Sequence, residues 1–180
     1  MKEDIKRPVF PKRAVITAGM PYGNKELHFG HIGGMFVHAD TYARFLRDRI
    51  GAENVIFVSG TDCYGSPILE SFRKLKESGN TEHKDITEYV ESNHIKQKKT
   101  LDEYEISLNH FGASGLYKDK EIHRQVSNEV FETLYKSGYL SVMSTPQFFD
   151  PKLQILLNGR QVEGRCPFEG CGSDKAYADE

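Results

Sequence analysis

The sequence predicts an α/β fold built on a parallel sheet, and three observations lead to this prediction. A short β-prone run at 13–18 is followed by a turn-rich segment and then by apolar residues at helical spacing. A second strand and helix repeat this order further along the chain. The second strand, predicted at 55–59, is apolar on both faces, as inner strands of parallel sheets are. This succession is typical of a Rossmann-like sheet, although the dinucleotide pattern Gly-x-Gly-x-x-Gly is absent from the sequence.

The first and second helices have clear end signals. The first is predicted from about Gly30 to Arg49, with Gly51 as its stop. The second is predicted to begin at Ser66, which can cap it, with Pro67 in the first turn where no N–H is needed. Each carries an apolar stripe that we expect to be buried: Ile32, Phe36, Ala39, Ala43, Leu46 and Ile50 in the first, and Ile68, Leu69, Phe72 and Leu75 in the second.

Two further helices and several short strands complete the predicted order. Asp85, with Glu88 three residues later, offers a capping box for a helix that ends near Tyr104. Apolar residues at helical spacing over 120–137 predict a fourth helix, and Gly138 ends it. Short strands are predicted at 106–111, 139–140 and 147–150.

Length and composition restrict the class of protein. The 180 residues are enough for one domain with a small appendage. The formal net charge of -2 lacks the basic excess of a dedicated nucleic-acid-binding module. No stretch is apolar enough to predict a membrane span, so we expect no membrane partner. Three cysteines and a charged N-terminus without an export signal lead us to expect reduced thiols and a cytoplasmic location.

The segment 21–31, which we call the signature segment, lies between the first strand and the first helix and carries the chemistry. Two histidines, His28 and His31, flank Gly30 there. A loop that opens a helix presents unpaired N–H groups and the positive end of the helix dipole, which together favour a phosphate. Gly30 has no Cβ, so a ligand can approach the backbone closely. The alternative is that the histidines only cap the helix or pack against the strand.

The His-x-Gly-His element of this segment resembles the nucleotide signature of class I aminoacyl-tRNA synthetases and of some related nucleotidyltransferases. The longer string Pro-Tyr-x-Asn-x-x-x-His-x-Gly-His is similar to that of the synthetases for methionine, leucine, isoleucine and valine. A second block, Val55 to Ile68, resembles the strand and Gly-Thr-Asp-x-x-Gly turn of the methionyl-tRNA synthetases. By this resemblance, which covers the chain from about Ala14 to its end, the sequence is identified as a member of that family.

The resemblance implies the first half of a class I catalytic domain with a Rossmann-like sheet. It divides the chain into an N-terminal extension at 1–13, the first half of the catalytic domain at 14–138, and the start of a connective-peptide domain at 139–180. In the family the connective peptide carries a zinc knuckle, and Cys166 and Cys171 resemble half of one. Because a structural zinc needs four ligands, we expect Zn²⁺ only in a longer chain.

The resemblance also implies an activity. This is the ATP-dependent activation of methionine to methionyl-adenylate and its transfer to tRNA(Met), with Mg²⁺ accompanying the ATP. His28 and His31 are the implied catalytic residues. The implied ATP-binding residues are Tyr22, His28, Gly30 and His31.

Methionine is expected to contact Met20, Tyr22 and Asp62. A flexible Met20 beside an aromatic side chain suits a thioether substrate. In the family the counterpart of Asp62 pairs with the α-ammonium group of the substrate. The alternative is that Asp62 caps a turn or the helix that begins at Ser66, and both roles can hold together.

Several positions depart from the family pattern. Lys25 and Glu26 place a charge pair near the nucleotide loop, and Cys63-Tyr64 replaces the usual Glu-His pair. The lysine-rich loop KMSKS, the second half of the nucleotide-binding fold and the anticodon-binding helices are absent from the 180 residues. We therefore expect this chain alone to activate methionine weakly or not at all.

Two other functions stay open at this point. The first is a non-catalytic synthetase paralogue or binding module that senses methionine or ATP, which Lys25 and the Cys63-Tyr64 pair suggest. The second is a small nucleotidyltransferase with the same signature. It is less favoured, because such enzymes lack the Gly-Thr-Asp turn and the half zinc knuckle.

Overall fold

The computed structural model of the protein describes residues 9–152, 154–157, 162–166, 168–172 and 176–177. The chain forms two compact units, Met1–Glu129 and Val130–Glu180. The domain limits predicted after residues 13 and 138 stay predictions.

A three-stranded parallel sheet organises the first unit, in the order β1, β2, β3. Ala14 pairs with Val55 in the β1–β2 ladder, and Val58 pairs with His110 in the β2–β3 ladder. The predicted parallel sheet, with the second strand inside it, is thereby confirmed. The strands are β1 at Ala14–Thr17, β2 at Val55–Thr61 and β3 at His110–Ala113.

The third strand begins later than the predicted 106–111. Ile106 is buried, but it lies in the connection before the strand and not in the ladder. The side chain of Asn109 takes the place of a ladder carbonyl there, because its Oδ1 accepts the N–H of Phe57 at 2.8 Å. The apolar residue Ile106 therefore packs into the core and does not pair in a strand.

Helical segments flank the sheet. The helix after β1 consists of three consecutive segments: α1 at Phe29–His31, a π-helical turn at Ile32–Phe36 and α2 at Val37–Ile50. Gly51 ends α2 with a φ of 90°, which confirms the predicted stop. The remaining segments are a 3₁₀ turn at Ala52–Asn54, α3 at Ser66–Glu77, α4 at Ile86–Glu103 and α5 at Tyr117–Lys136.

Two predicted helix starts differ in detail. Ser66 is the first residue of α3 and not its cap, because Gly65 takes the capping position with a φ of 108°. Asp85 caps α4 as predicted, and its Oδ1 accepts the N–H of Glu88 at 3.0 Å. Glu88 does not return a bond to Asp85; its Oε2 accepts the N–H of Lys84 at 2.7 Å. The predicted capping box is therefore only half formed.

The main core lies on one face of the sheet. Phe57 of β2 is fully buried there, in a cluster with Phe36 and Leu46 from the helix after β1 and with Leu101 from α4. A second cluster joins α3 to α4 and β3, around residues such as Ile68, Tyr89, Val90 and Ala113. The stripe predicted for the first helix is confirmed as core. Leu69 was expected in the stripe of α3 but is 61% exposed, because it lines an open cavity beside that helix.

The described residues of the second unit include two short antiparallel strand pairs. The strand predicted at 147–150 is confirmed as β4, whereas the strand predicted at 139–140 is wrong. The Tyr139 N–H donates to the carbonyl oxygen of Leu134 at 3.0 Å and so closes the end of α5. The pairs are β4 at Phe148–Asp150 with β5 at Ile155–Leu157, and β6 at Glu163–Gly164 with β7 at Ala176–Tyr177.

Across the described residues, the structure contains no helix with the length and apolar character needed to cross a bilayer.

Candidate functional site

Backbone hydrogen bonds join the signature segment to the sheet beyond the carboxyl ends of β1 and β2. The N–H of Gly23 donates to the carbonyl oxygen of Asp62, and the N–H of Asp62 donates to that of Pro21, both at 2.8 Å. Tyr22 and Asp62 therefore pair as residues in a parallel ladder do. Ligands of open α/β sheets bind at this edge. The structure thus brings the signature segment and Asp62, two separate stretches of the sequence, to the same edge.

His28 and His31 hold each other in place at the start of α1. The N–H of His28 donates to Nδ1 of His31 at 3.2 Å, and the N–H of Gly30 donates to Nδ1 of His28 at 3.1 Å. The two rings stack with their centroids 3.8 Å apart. The histidines therefore do cap the helix, and the capping also fixes the orientation of both rings.

This pairing determines which ring nitrogen carries the proton. Each Nδ1 accepts a backbone N–H, so each neutral ring has its own proton on Nε2. The Nε2 atoms lie on the side of each ring away from these backbone bonds. His28 and His31 together present two N–H donors that suit an anionic oxygen.

The acid–base state of His31 agrees with this arrangement. Burial lowers the pKa of His31, and electrostatic repulsion from the neighbouring His28 and Lys25 side chains disfavours its charged form further. The neutral ring is the state that can accept the N–H of His28. As the pH falls below the unperturbed histidine value of about 6.5, the unfolded chain binds the proton first, so the folded arrangement loses stability.

Gly30 is needed for the turn itself. A Cβ on Gly30 would lie 3.0 Å from Cε1 and 3.1 Å from Nδ1 of His28. Both distances are tighter than an ordinary carbon contact, so a side chain here would displace the ring. The small residue predicted to admit a ligand thus also makes room for the histidine.

Asp62 has one carboxylate oxygen engaged and one available. Its Oδ1 accepts the N–H of Tyr64 at 3.0 Å, so Asp62 caps a turn, as the alternative interpretation expected. It does not cap α3, where Gly65 holds that position. Within the described residues, Oδ2 makes no hydrogen bond, which leaves it free to meet a cation.

Met20 lines a cavity of about 320 Å³ next to the carboxyl end of β3. Its side chain is 44% exposed, so it is not a core residue. The cavity has apolar walls from α5 and a polar edge that includes His110 and Asp119. Tyr22 is not among the residues that line this cavity, and its contact with methionine stays a prediction. The α5 residues in the wall are Ile122, His123, Val126 and Ser127.

Two glycines keep β2 and β3 close at this end of the sheet. Gly60 is opposite Gly112 in the ladder. A Cβ on Gly60 would lie 2.6 Å from the carbonyl oxygen of Gly112 and 3.1 Å from Cε of Met20. The first distance is shorter than any real Cβ contact, so only glycine fits at Gly60.

Three side chains of α4 hold the carbonyl groups of the signature segment. The hydroxyl of Tyr89 donates to the carbonyl oxygen of Asn24, and Nδ2 of Asn93 donates to that of Gly23 at 3.2 Å. Gln97 donates from Nε2 to two further carbonyl oxygens, those of Tyr22 at 2.9 Å and Lys25 at 2.8 Å. We call Tyr89, Asn93 and Gln97 the α4 clamp.

A buried polar chain supports the clamp from behind. The hydroxyl of Thr61, at the end of β2, donates to Oε1 of Gln97 at 2.7 Å. Its oxygen lies 2.8 Å from Nδ1 of His94. Because the single hydroxyl proton points to Gln97, the bond with His94 must come from an N–H on Nδ1. Burial lowers the pKa of His94, and this N–H is present in both of its charge states.

Sequence analysis missed the α4 clamp and its support. Tyr89, Asn93 and Gln97 recur every four residues, so they share one face of α4. Polar residues in a helix are normally taken as its solvated face, which is why the pattern was not assigned. The sequence did carry a signal for this role. Asn93 and Gln97 lie on the same face of α4 as Tyr89 and Leu101, which are buried, so this face is not the solvated one.

The positions that depart from the family pattern have ordinary structural roles. Burial raises the pKa of the Cys63 thiol, and its N–H donates to Oγ of Ser114 at 2.9 Å, so this cysteine is not activated as a nucleophile. The Tyr64 ring lies parallel to that of His123, with centroids 6.0 Å apart. Glu26 pairs with Lys96 of α4 at 3.4 Å.

The described residues do not form a metal site. Cys166 is half-buried and Cys171 is exposed, and no group of three or more potential ligands among the described residues is arranged to hold an ion. Two cysteines alone do not fit a four-coordinate zinc.

Comparison with known proteins gives a consistent result. The family model described as tRNA synthetases class I (M) matches residues 14–180. The methionine–tRNA ligase of Cytophaga hutchinsonii is 35% identical over 94% of this chain and 22% of the relative. That of Pyrococcus horikoshii is 36% identical over 93% of the chain and 21% of the relative. The chain thus spans about a fifth of the length of the curated relatives it matches.

Proposed function

We propose that this chain, which belongs to the family of class I tRNA synthetases (M), forms the part of a methionine–tRNA ligase that binds ATP and methionine. The relatives that match nearly the whole chain are named methionine–tRNA ligases, which supports this choice over a nucleotidyltransferase. The complete reaction is proposed for a protein in which this chain is the N-terminal portion.

One observation carries the proposal: two stacked imidazoles, each pinned at Nδ1 by a backbone N–H, offer their Nε2–H groups together. Their rings are fixed before a ligand arrives, so little reorganisation is needed on binding. Two neighbouring donors without an acceptor match the oxygens of a phosphate chain. They would not match a cationic ligand.

The proposed first step is the formation of methionyl-adenylate. A carboxylate oxygen of methionine attacks the α-phosphorus of ATP; the new oxygen–phosphorus bond forms as the bond to the pyrophosphate oxygen breaks. Negative charge grows on the phosphate oxygens and on the leaving pyrophosphate. His28 and His31 would stabilise that charge by hydrogen bonds, and no covalent bond to the protein is required.

Asp62 and Met20 are proposed to hold the amino acid. The available Oδ2 of Asp62 would pair with the α-ammonium group, while Oδ1 remains bonded to the N–H of Tyr64 and keeps the carboxylate oriented. Met20 and the apolar cavity beside it would contact the thioether side chain. Tyr22 is proposed to contact ATP and the substrate from the signature segment.

Several parts of the family's chemistry stay proposals for the longer protein. Mg²⁺ would enter with ATP, held mainly by the phosphate oxygens. The second step would join methionine to the terminal ribose of tRNA(Met), with release of AMP. Zn²⁺ at Cys166 and Cys171 would require two further ligands.

Calorimetric titration of the chain with MgATP tests the proposal. We expect His31→Ala to weaken binding at least tenfold, because it removes a phosphate donor and the acceptor for the N–H of His28. His38→Ala is the matched control, since His38 is an exposed histidine on α2. Equal affinity of wild type and His31→Ala, or an equal loss in His38→Ala, would contradict the proposal.

Methionine-dependent exchange of labelled pyrophosphate into ATP tests the activity itself. We expect the isolated chain to show little exchange and a longer protein that contains it to show full exchange. If the longer protein binds ATP but never activates methionine, the chain belongs to a non-catalytic paralogue.

A further inference from the structure

The α4 clamp acts on four consecutive residues, because the carbonyl groups of residues 22 to 25 all accept hydrogen bonds from it. These carbonyl groups turn toward α4, and the segment then leads within three residues to His28. The clamp therefore defines the course of the backbone that delivers the histidine pair.

Gln97 has the central role in this clamp. Its Nε2 bonds the first and the last of the four carbonyl groups, so one amide fixes the width of the turn between Tyr22 and Lys25. Gln97 is 1% exposed, so water does not compete for these bonds. An unpaired carbonyl in such a place costs on the order of a lost hydrogen bond.

The orientation of the Gln97 amide is fixed as well. The Thr61 hydroxyl donates to Oε1, which leaves the amide nitrogen to face the loop carbonyls. Thr61 is fully buried, and the next residue in the chain is Asp62. One hydroxyl thus connects the strand that carries Asp62 to the amide that sets the loop of His28 and His31.

We propose that Gln97, oriented by Thr61, is a positioning residue that sets the geometry of the histidine pair and thereby the affinity for ATP. The inference deepens the proposed function and rests on it for its ATP readout. Gln97 touches the backbone of the signature segment and acts on a ligand only through the histidines.

The test compares Gln97→Met, which keeps the approximate volume and removes the polar atoms, with Gln125→Met on the exposed face of α5. Thermal unfolding first establishes that each variant is folded. MgATP titration and ¹⁵N spectra of the imidazole rings are then recorded. The spectra report whether His28 and His31 keep their proton on Nε2, a property that a merely space-filling residue at 97 would not change.

We expect Gln97→Met to bind MgATP at least tenfold more weakly and to lose the uniform Nε2–H pattern of His28 and His31. Gln125→Met should match the wild type in both measurements. A folded Gln97→Met with affinity and imidazole spectra like those of the wild type would overturn the proposal.

A second pair of variants decides the question if Gln97→Met does not fold. Thr61→Ser keeps the hydroxyl, whereas Thr61→Val replaces it with a methyl group of similar size. We expect Thr61→Ser to bind MgATP within twofold of the wild type and Thr61→Val to bind it several-fold more weakly. Equal binding by both variants would overturn the role of Thr61 in orienting Gln97.

The two proposals fail in different ways. If the wild-type chain binds no MgATP, the proposed function fails. The imidazole spectra of Gln97→Met then still decide whether Gln97 sets the histidine geometry.

Discussion

The two faces of the parallel sheet differ in what covers them. On one face Phe57 is fully buried beneath the helix after β1 and beneath α4. On the other face Val15 and Ile56, which are ladder partners, are 68% and 49% exposed. Parallel sheets are normally covered on both faces, so among the described residues this unit has one covered face and one open face.

The difference between the two faces shows which face of the sheet sets the geometry of the histidine pair. The α4 clamp, Thr61 and the buried cluster around Phe57 all belong to the covered face. The geometry of the histidine pair is therefore set without the open face. Changes on the covered face should alter folding and the histidine pair together, and changes at Val15 and Ile56 on the open face should alter neither.

The largest expected effect comes from Phe57→Ala. Removing a fully buried ring leaves a cavity between the sheet and its helices, so we expect a loss of about 3–5 kcal/mol in the free energy of unfolding. Denaturant titration followed by circular dichroism measures it. A loss below about 1 kcal/mol would mean that the covered face is not the main core.

Asp40→Asn should have an intermediate effect. Asp40 is buried on α2 and accepts hydrogen bonds from the N–H of Ser107 at 2.7 Å and from Nε of Arg44 at 2.7 Å, as well as from the Ser107 hydroxyl. Neutralising it weakens bonds to a charged acceptor, so we expect a loss of about 1–3 kcal/mol at pH 7. Arg49→Gln, on the exposed surface of the same helix, is the control.

The pH dependence of this effect has a defined sign. Burial by itself would raise the pKa of Asp40, but the bonds from Ser107 and Arg44 outweigh it, so the pKa is lowered. The carboxylate therefore stabilises the fold above the unfolded-state value of about 3.9. That stabilisation disappears as the pH falls through the lower folded-state pKa, and wild type and Asp40→Asn should then converge. A constant difference from pH 7 to pH 2 would contradict the assignment.

The smallest expected effect is that of Ile56→Thr on the open face. Threonine keeps the β-branched shape that strands favour and removes exposed apolar surface, so the free energy of unfolding should change by no more than about 0.5 kcal/mol. Sedimentation velocity should show equal or reduced self-association. Destabilisation comparable to that of Phe57→Ala would show that this face is packed after all.

Sequence patterns predicted the elements well where one physical signal dominated. The apolar run of β2 predicted an inner strand, because a strand buried on both faces needs apolar residues throughout. Gly51 predicted the end of α2, because glycine adopts the positive φ found there most readily. Ser66 was misassigned as a cap because the signal for serine is strong. Gly65 fills that position through its backbone alone.

The site was only partly predictable from the sequence, because several of its hydrogen bonds join residues that lie far apart in the chain. The resemblance indicated His28, His31 and Asp62 from short motifs, and the structure pairs Tyr22, in the segment that carries the histidines, with Asp62 at one edge of the sheet. Gln97 lies 75 residues from its partner Tyr22, and no local pattern encodes such a bond. The bonds that Nδ1 of His31 accepts from the N–H of His28, and Nδ1 of His28 from that of Gly30, decide where the ring protons lie and also required three-dimensional geometry.

The contact of Gly60 with Gly112 limits how the cavity beside Met20 can be redesigned. Even one methyl group at residue 60 would push apart two strands at the point where Asp62 leaves the sheet. An effort to widen the proposed methionine site would therefore have to shorten Met20, whose tip lies next to these glycines, and leave both glycines unchanged.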